Sequence, residues 1–211
     1  MKITRVTCCL FILLLSLVAF AFTTSAPRAH AASGNTIVIK GHGLHVESGF
    51  HYLSSDNCIE TTVYVDAFQN IVHNQTVSTA DVFIGQTNNC TNTTLLDASG
   101  GTGSPAFQID KTLLSASLSA IVPITDTVSG NTFSVSVNMT WTSTSAIQHQ
   151  DITQHYRTQG FTINSHSNAD IRDAIASGTV SDGTTNFTPA GTLWFAQIVS
   201  AKSVQVTITH P

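Results

Sequence analysis

Strict alternation of apolar and hydroxyl-bearing residues is the feature that most narrows what this chain can become. From Thr132 to Trp141 the odd positions are Phe133, Val135, Val137, Met139 and Trp141, and the even ones are Thr132, Ser134, Ser136, Asn138 and Thr140. A period of two puts one set on each face of an extended strand, so this segment packs on a core from one side. Upstream, Leu114, Ala116, Leu118, Ala120, Val122 and Ile124 alternate with Ser115, Ser117 and Ser119. Asp126-Thr127-Val128-Ser129-Gly130-Asn131 lies between the two runs and supplies turn chemistry, which predicts a long antiparallel hairpin.

The same patterning predicts strands over 35–40, 44–50, 58–68, 80–85, 94–97, 106–109, 161–165, 171–180, 192–200 and 203–209. The Gly-rich run Ser99–Ser104 reads as a flexible turn, and Ala201-Lys202 as the tight turn of a closing hairpin. No segment carries a 3.6-residue apolar stripe. Roughly ten strands in one domain predict an all-β fold, an antiparallel β-sandwich first and a closed β-barrel second.

The N-terminus sets where such a domain would work. Lys2 and Arg5 precede an apolar run from Cys8 to Phe22, and a polar tail ends in Ala29-His30-Ala31. These are the three parts of a secretory signal peptide with cleavage after Ala31. The apolar run falls short of the ~20 residues that span a bilayer. The expected product is a single all-β domain, residues 32–211, with no membrane insertion after cleavage. Three of the eight Lys and Arg (Lys2, Arg5 and Arg28) leave with the signal while all twelve Asp and Glu stay, so the charge moves from −4 to about −7. So few cations offer no footprint for phosphate backbones, and nucleic-acid partners are excluded. Cys8 and Cys9 also leave, and the oxidising compartment pairs Cys58 with Cys90 in a disulfide.

Candidate chemistry is sparse. His42-Gly43-Leu44-His45 is an H-x-x-H, but on a strand its two imidazoles point to opposite faces. A bulge at Gly41 or Gly43 would let His42, His45 and His51 share a metal; polar residues on an exposed strand are the plainer reading. Along Gln148–Arg157, His149, Asp151, His155 and Arg157 form a stripe suited to a carboxylate, a sugar or a metal. The solvated face of an edge strand explains the same pattern and is favoured. Glu47 and Glu60 are the only glutamates, and Glu60 alternates with Thr62, Tyr64 and Asp66. Glu60 and Asp66 lie about 20 Å apart along a strand, beyond the ~5–9.5 Å of a glycosidase pair. With no G-x-S-x-G and no H-E-x-x-H, no catalytic residue is assigned and no cofactor is implied. Trp141 and Trp194 alternate with apolar neighbours, and both are expected in the core.

Residues 58–68, Ala80-Asp81-Val82-Phe83-Ile84 followed by Cys90, Ala106-Phe107-Gln108-Ile109-Asp110 and residues 177–189 resemble a family of secreted bacterial all-β proteins with no assigned function. The resemblance implies an exported bacterial origin and carries over no site. The expectation is therefore a secreted, non-enzymatic β-sandwich, a surface, matrix or ligand-binding module whose partner is an extracellular glycan or protein. A polysaccharide hydrolase using strand-borne carboxylates and a His-based metal-binding β-barrel are the alternatives.

Overall fold

The computed structural model describes residues 36–72, 75–157 and 162–209. Residues 1–31, which the sequence suggests are a signal peptide, lie outside the described residues, as do Asn35, Phe161 and the side chain of Arg157. Among them there are eleven strands and no helix: β1 (Thr36–Leu53), β2 (Ile59–Val72), β3 (Gln75–Asn88), β4 (Thr93–Thr102), β5 (Ala106–Ile109), β6 (Ser115–Asp126), β7 (Thr132–Ser143), β8 (Gln148–Arg157), β9 (Thr162–Ser181), β10 (Asn186–Phe187) and β11 (Leu193–Thr209).

All pairings are antiparallel and belong to one sandwich-like sheet. Starting from β1, the hydrogen bonds run through β2, β3, β4, β6, β7, β9 and β11 and return to β1, forming a ring. β5 hangs on β6, while β8 and β10 hang on β9. The long β9 serves both layers. Its first half pairs with β11 and β8, and from Ala174 onward it pairs with β7.

The hairpin read from the alternation is present as β6 and β7, in register from Ser115↔Thr142 to Thr125↔Thr132. One detail differs. Leu114 is half exposed, and Leu113, in the left-handed conformation at φ 59°, enters the core instead. The inward faces of β6 and β7 bring Leu118, Val122, Ile124, Val135, Val137, Met139 and Trp141 against Val46, Val63, Val65, Val82, Ile84 and Ile198 of the opposite layer. Each such side chain contributes about 1.5–3 kcal/mol over leaving it in water. Trp141 is fully buried and its Nε1 donates to the Glu47 carbonyl at 3.1 Å, tying β7 to β1 across the core.

Three expectations need correcting. Ala201-Lys202 is not a turn: β11 runs straight through it, and a bulge between Ala201 and Ser203 leaves Lys202 out of the ladder. A bulge inserts one residue without reversing the chain, and in sequence it looks like a short turn. Two further pairs of short strands merge in the same way, 35–40 with 44–50 into β1 and 161–165 with 171–180 into β9. Ser99–Thr102 is not a flexible turn but the end of β4. A Cβ on Gly100 would lie 2.1 Å from the Pro123 carbonyl oxygen, so glycine there permits close approach of β4 to β6.

The β4–β6 seam closes the ring with only two pairs, Ala98↔Asp126 and Ser99↔Thr125. Side chains reinforce it. Asp126 accepts from the Asp97 amide at 3.0 Å and from Val128 and Ser129 in the β6–β7 turn. Thr127 donates to the Asp97 backbone carbonyl and side-chain carboxylate.

Cys58 and Cys90 form the expected disulfide, with Cα atoms 5.1 Å apart. It lies just past the open end of the β2–β3 hairpin, whose last pair is Ile59↔Asn88.

Candidate functional site

β1, β2, β3 and β11 turn a second face away from the main core, and its side chains follow from the registers. Down β1 it carries His45, Glu47, Gly49 and His51; opposite them on β2 stand Phe68, Asp66, Tyr64 and Thr62. β3 adds Thr79, Asp81 and Phe83, and β11 adds Val199, Gln197 and Phe195.

One end of this face opens into a cleft of about 610 Å³, lined by His51, Glu60, Thr62, Tyr64, Gly191, Thr192, Leu193 and Trp194. A register shift positions its aromatic wall. Gly49 pairs with Phe195 and Phe50 with Leu193, so Trp194 is the extra residue of a bulge. Trp194 and Phe195 both turn toward Tyr64, with ring centroids 6.1 and 6.0 Å from it. A Cβ on Gly49 would fall 2.6 Å from the Phe195 ring and 3.0 Å from Tyr64, so only glycine leaves room for the cluster. Trp194 remains 50% exposed. It is therefore not a core residue, in contrast to Trp141. The bulge overrides the alternation that predicted burial.

Opposite the aromatic wall, Glu60 accepts from Asn89 Nδ2 and pairs with His51 Nε2, both at 2.9 Å. Asn89 adjoins Cys90, and its amide donates to the Cys58 carbonyl. The disulfide thus anchors the residue that orients Glu60. The Asn89 amide first, and then His51, hold the Glu60 carboxyl below the usual carboxylate range. Glu60 is therefore an ionised acceptor at neutral pH. It is also the one carboxylate lining the cleft among the described residues.

Farther along the same face, beyond Tyr64 and Gly49, His45, Glu47 and Asp66 converge. Their potential ligand atoms all lie within 4.8 Å of one another. Glu47 stands directly opposite Asp66, and Asp66 directly opposite Asp81, giving three carboxylates in a transverse row over three strands. His45 is 3% exposed and stacks flat on Phe68, with centroids 4.3 Å apart and planes 4° from parallel. Its Nε2 is 4.0 Å from Asp66 Oδ1, beyond hydrogen-bond reach, and neither ring nitrogen has a hydrogen-bond partner among the described residues. An unsatisfied buried polar group costs about 1–3 kcal/mol. Burial pushes the His45 imidazole down to about 3 and keeps it neutral. Burial first, then the Glu47 and Asp81 charges, push the Asp66 carboxyl well up. Asp81, exposed at the end of the row, is pushed up by partial desolvation.

The histidines suggested by sequence do not assemble as a set. His42 is exposed, His51 belongs to the cleft with Glu60, and only His45 joins a group with metal-ligand spacing. The stripe His149, Asp151, His155 and Arg157 lies on β8, which pairs only with β9 among the described residues. Each described stripe side chain bonds the residue directly opposite: His149 with Asp170, Asp151 with Asn168, and His155 with Asn164. Lys202, displaced by its bulge, pairs with Asp170 at 2.6 Å. Such cross-strand pairing is the pattern expected of the solvated face of an edge strand.

Comparison of the chain with protein-family models, with curated proteins and with solved structures returns no match.

Proposed function

We propose that the chain is a secreted, non-enzymatic β-sandwich module that binds an extracellular glycan in the cleft between Trp194 and Glu60. The half-exposed Trp194, set beside Tyr64 on the wall of a 610 Å³ cleft, carries the reading. A pyranose presents an apolar face of C–H groups and a rim of hydroxyls. An indole surface covers the first, and ionised Glu60, His51, Thr62 and Thr192 offer partners to the second. Among the described residues a single carboxylate lines the cleft, which favours recognition over two-carboxylate hydrolysis. The disulfide, the signal-like N-terminus and the resemblance to secreted bacterial proteins support export.

The test is a glycan array probed with the chain produced in a secreting host with its N-terminal segment intact. Binding should be accompanied by a change in Trp194 fluorescence, and Trp194→Ala should weaken it by about tenfold or more, the loss of an anchor worth more than 1 kcal/mol. Trp194→Phe should retain part of it. No glycan bound by the folded chain, or equal binding by Trp194→Ala, would reject the reading.

A further inference from the structure

We propose that His45, Glu47 and Asp66 form a binding site for one divalent transition-metal ion of the Zn²⁺ or Mn²⁺ class. The placement is built by the ladder. His45 and Glu47 are two apart on β1 and so share a face, and the β1–β2 register sets Asp66 directly across from Glu47. Three donors thereby reach one point from two adjacent strands, with every pair within 4.8 Å. An ion held at about 2.0–2.2 Å from each donor draws them inward by roughly an ångström, within the reach of side-chain torsions. One imidazole nitrogen with two carboxylate oxygens is a borderline donor set, suited to Zn²⁺ or Mn²⁺ more than to Ca²⁺, which takes oxygen alone.

The state of His45 points independently to a ligand. Its ring is enclosed, pinned against Phe68, and presents a nitrogen toward Asp66 with no hydrogen bond to either ring nitrogen among the described residues. Buried polar atoms in folded proteins nearly always have partners, and a metal bond is one that no protein group need supply. Glu47 and Asp66 face each other across the ladder and offer the ion two oxygen donors from adjacent strands. Asp81, across from Asp66 on β3, would then act as an outer partner that orients the Asp66 carboxylate. The proposal is independent of the glycan reading, since none of the three donors lines the cleft.

The secreted chain, stripped with a chelator and redialysed, is titrated with ZnCl₂ and with MnCl₂ while ion uptake is measured. About one equivalent of one of these ions should bind, and His45→Gln or Asp66→Asn should weaken binding by more than about tenfold. Trp194→Ala should bind the ion unchanged. Failure of the folded wild-type chain to take up either ion overturns the proposal, as does equal uptake by His45→Gln. Should both ligand variants fail to fold, the wild-type spectrum decides. The His45 ring protons, shielded by Phe68, should shift with Zn²⁺ or broaden first with Mn²⁺, and signals that stay in place overturn the proposal.

Discussion

The two tryptophans separate what alternation implies from what a bulge does to it. Trp141 fills the centre of the core and donates across it to the Glu47 carbonyl. Trp194 stands half exposed over the cleft because the chain gains one residue opposite Gly49–Phe50. Trp141→Ala should therefore cost about 3–5 kcal/mol, the range for deleting a large buried aromatic. Trp194→Ala should lower stability by less than about 1 kcal/mol, as expected of a surface position. Urea unfolding of the two variants checks both values. Equal losses would mean that Trp194 is a packing residue and would remove the reason for placing a ligand there. At this scale sequence alone distinguishes the two poorly, since both sit among apolar neighbours at a period of two. What separates them is the bulge in β11 that makes Trp194 the extra residue, and the alternation carries no mark of it.

Among the elements, the β4–β6 seam is the shortest ladder in the ring, and Asp126 reinforces it. The Ser129 hydroxyl, followed by the Asp97 amide, holds the Asp126 carboxyl at about 2. A folded value below the unfolded one near 3.9 gives stability that is fully present above pH 4. That stability is lost as pH falls through about 2. Asp126→Asn should thus have a lower melting temperature at pH 6 and a shallower decline between pH 4 and pH 2 than the parent. Parallel melting curves across that window would show that the carboxylate does not support the seam. Elements differ in how readily they can be read. The β6–β7 hairpin is plain because its alternation is unbroken and its turn is rich in Ser, Gly and Asn. The Glu47–Asp66 pairing depends on register, which is a property of two strands at once. A signal for it exists: a hairpin centred on Asp56-Asn57, with Asn57 in the left-handed conformation, puts Glu47 across from Asp66. Alternation along single strands cannot reveal it, and the three-carboxylate row stays hidden until β3 is in register as well.

For the molecule as a whole, the long strands dominate. β9 serves both layers, and β1 and β11 run the full height of the sheet, so the ring has few places to come apart in pieces. A single cooperative unfolding transition is the natural outcome. The proposed export makes a prediction at the same scale. The product released by a secreting host should begin at Ala32, and its intact mass should be two hydrogens below that of the reduced chain of residues 32–211. A product that retains Met1, or one with two titratable thiols, would contradict the N-terminal reading or the Cys58–Cys90 bond respectively.

That bond has a further consequence. Cys58 and Cys90 are 32 positions apart, and the whole of β2 and β3 lies between them. A protease that cuts once anywhere in this span severs the backbone but leaves one covalent molecule, with both ends still knotted beside Glu60. In surroundings rich in proteases, the face that carries the cleft could be nicked between β2 and β3 and still keep its cleft end held together.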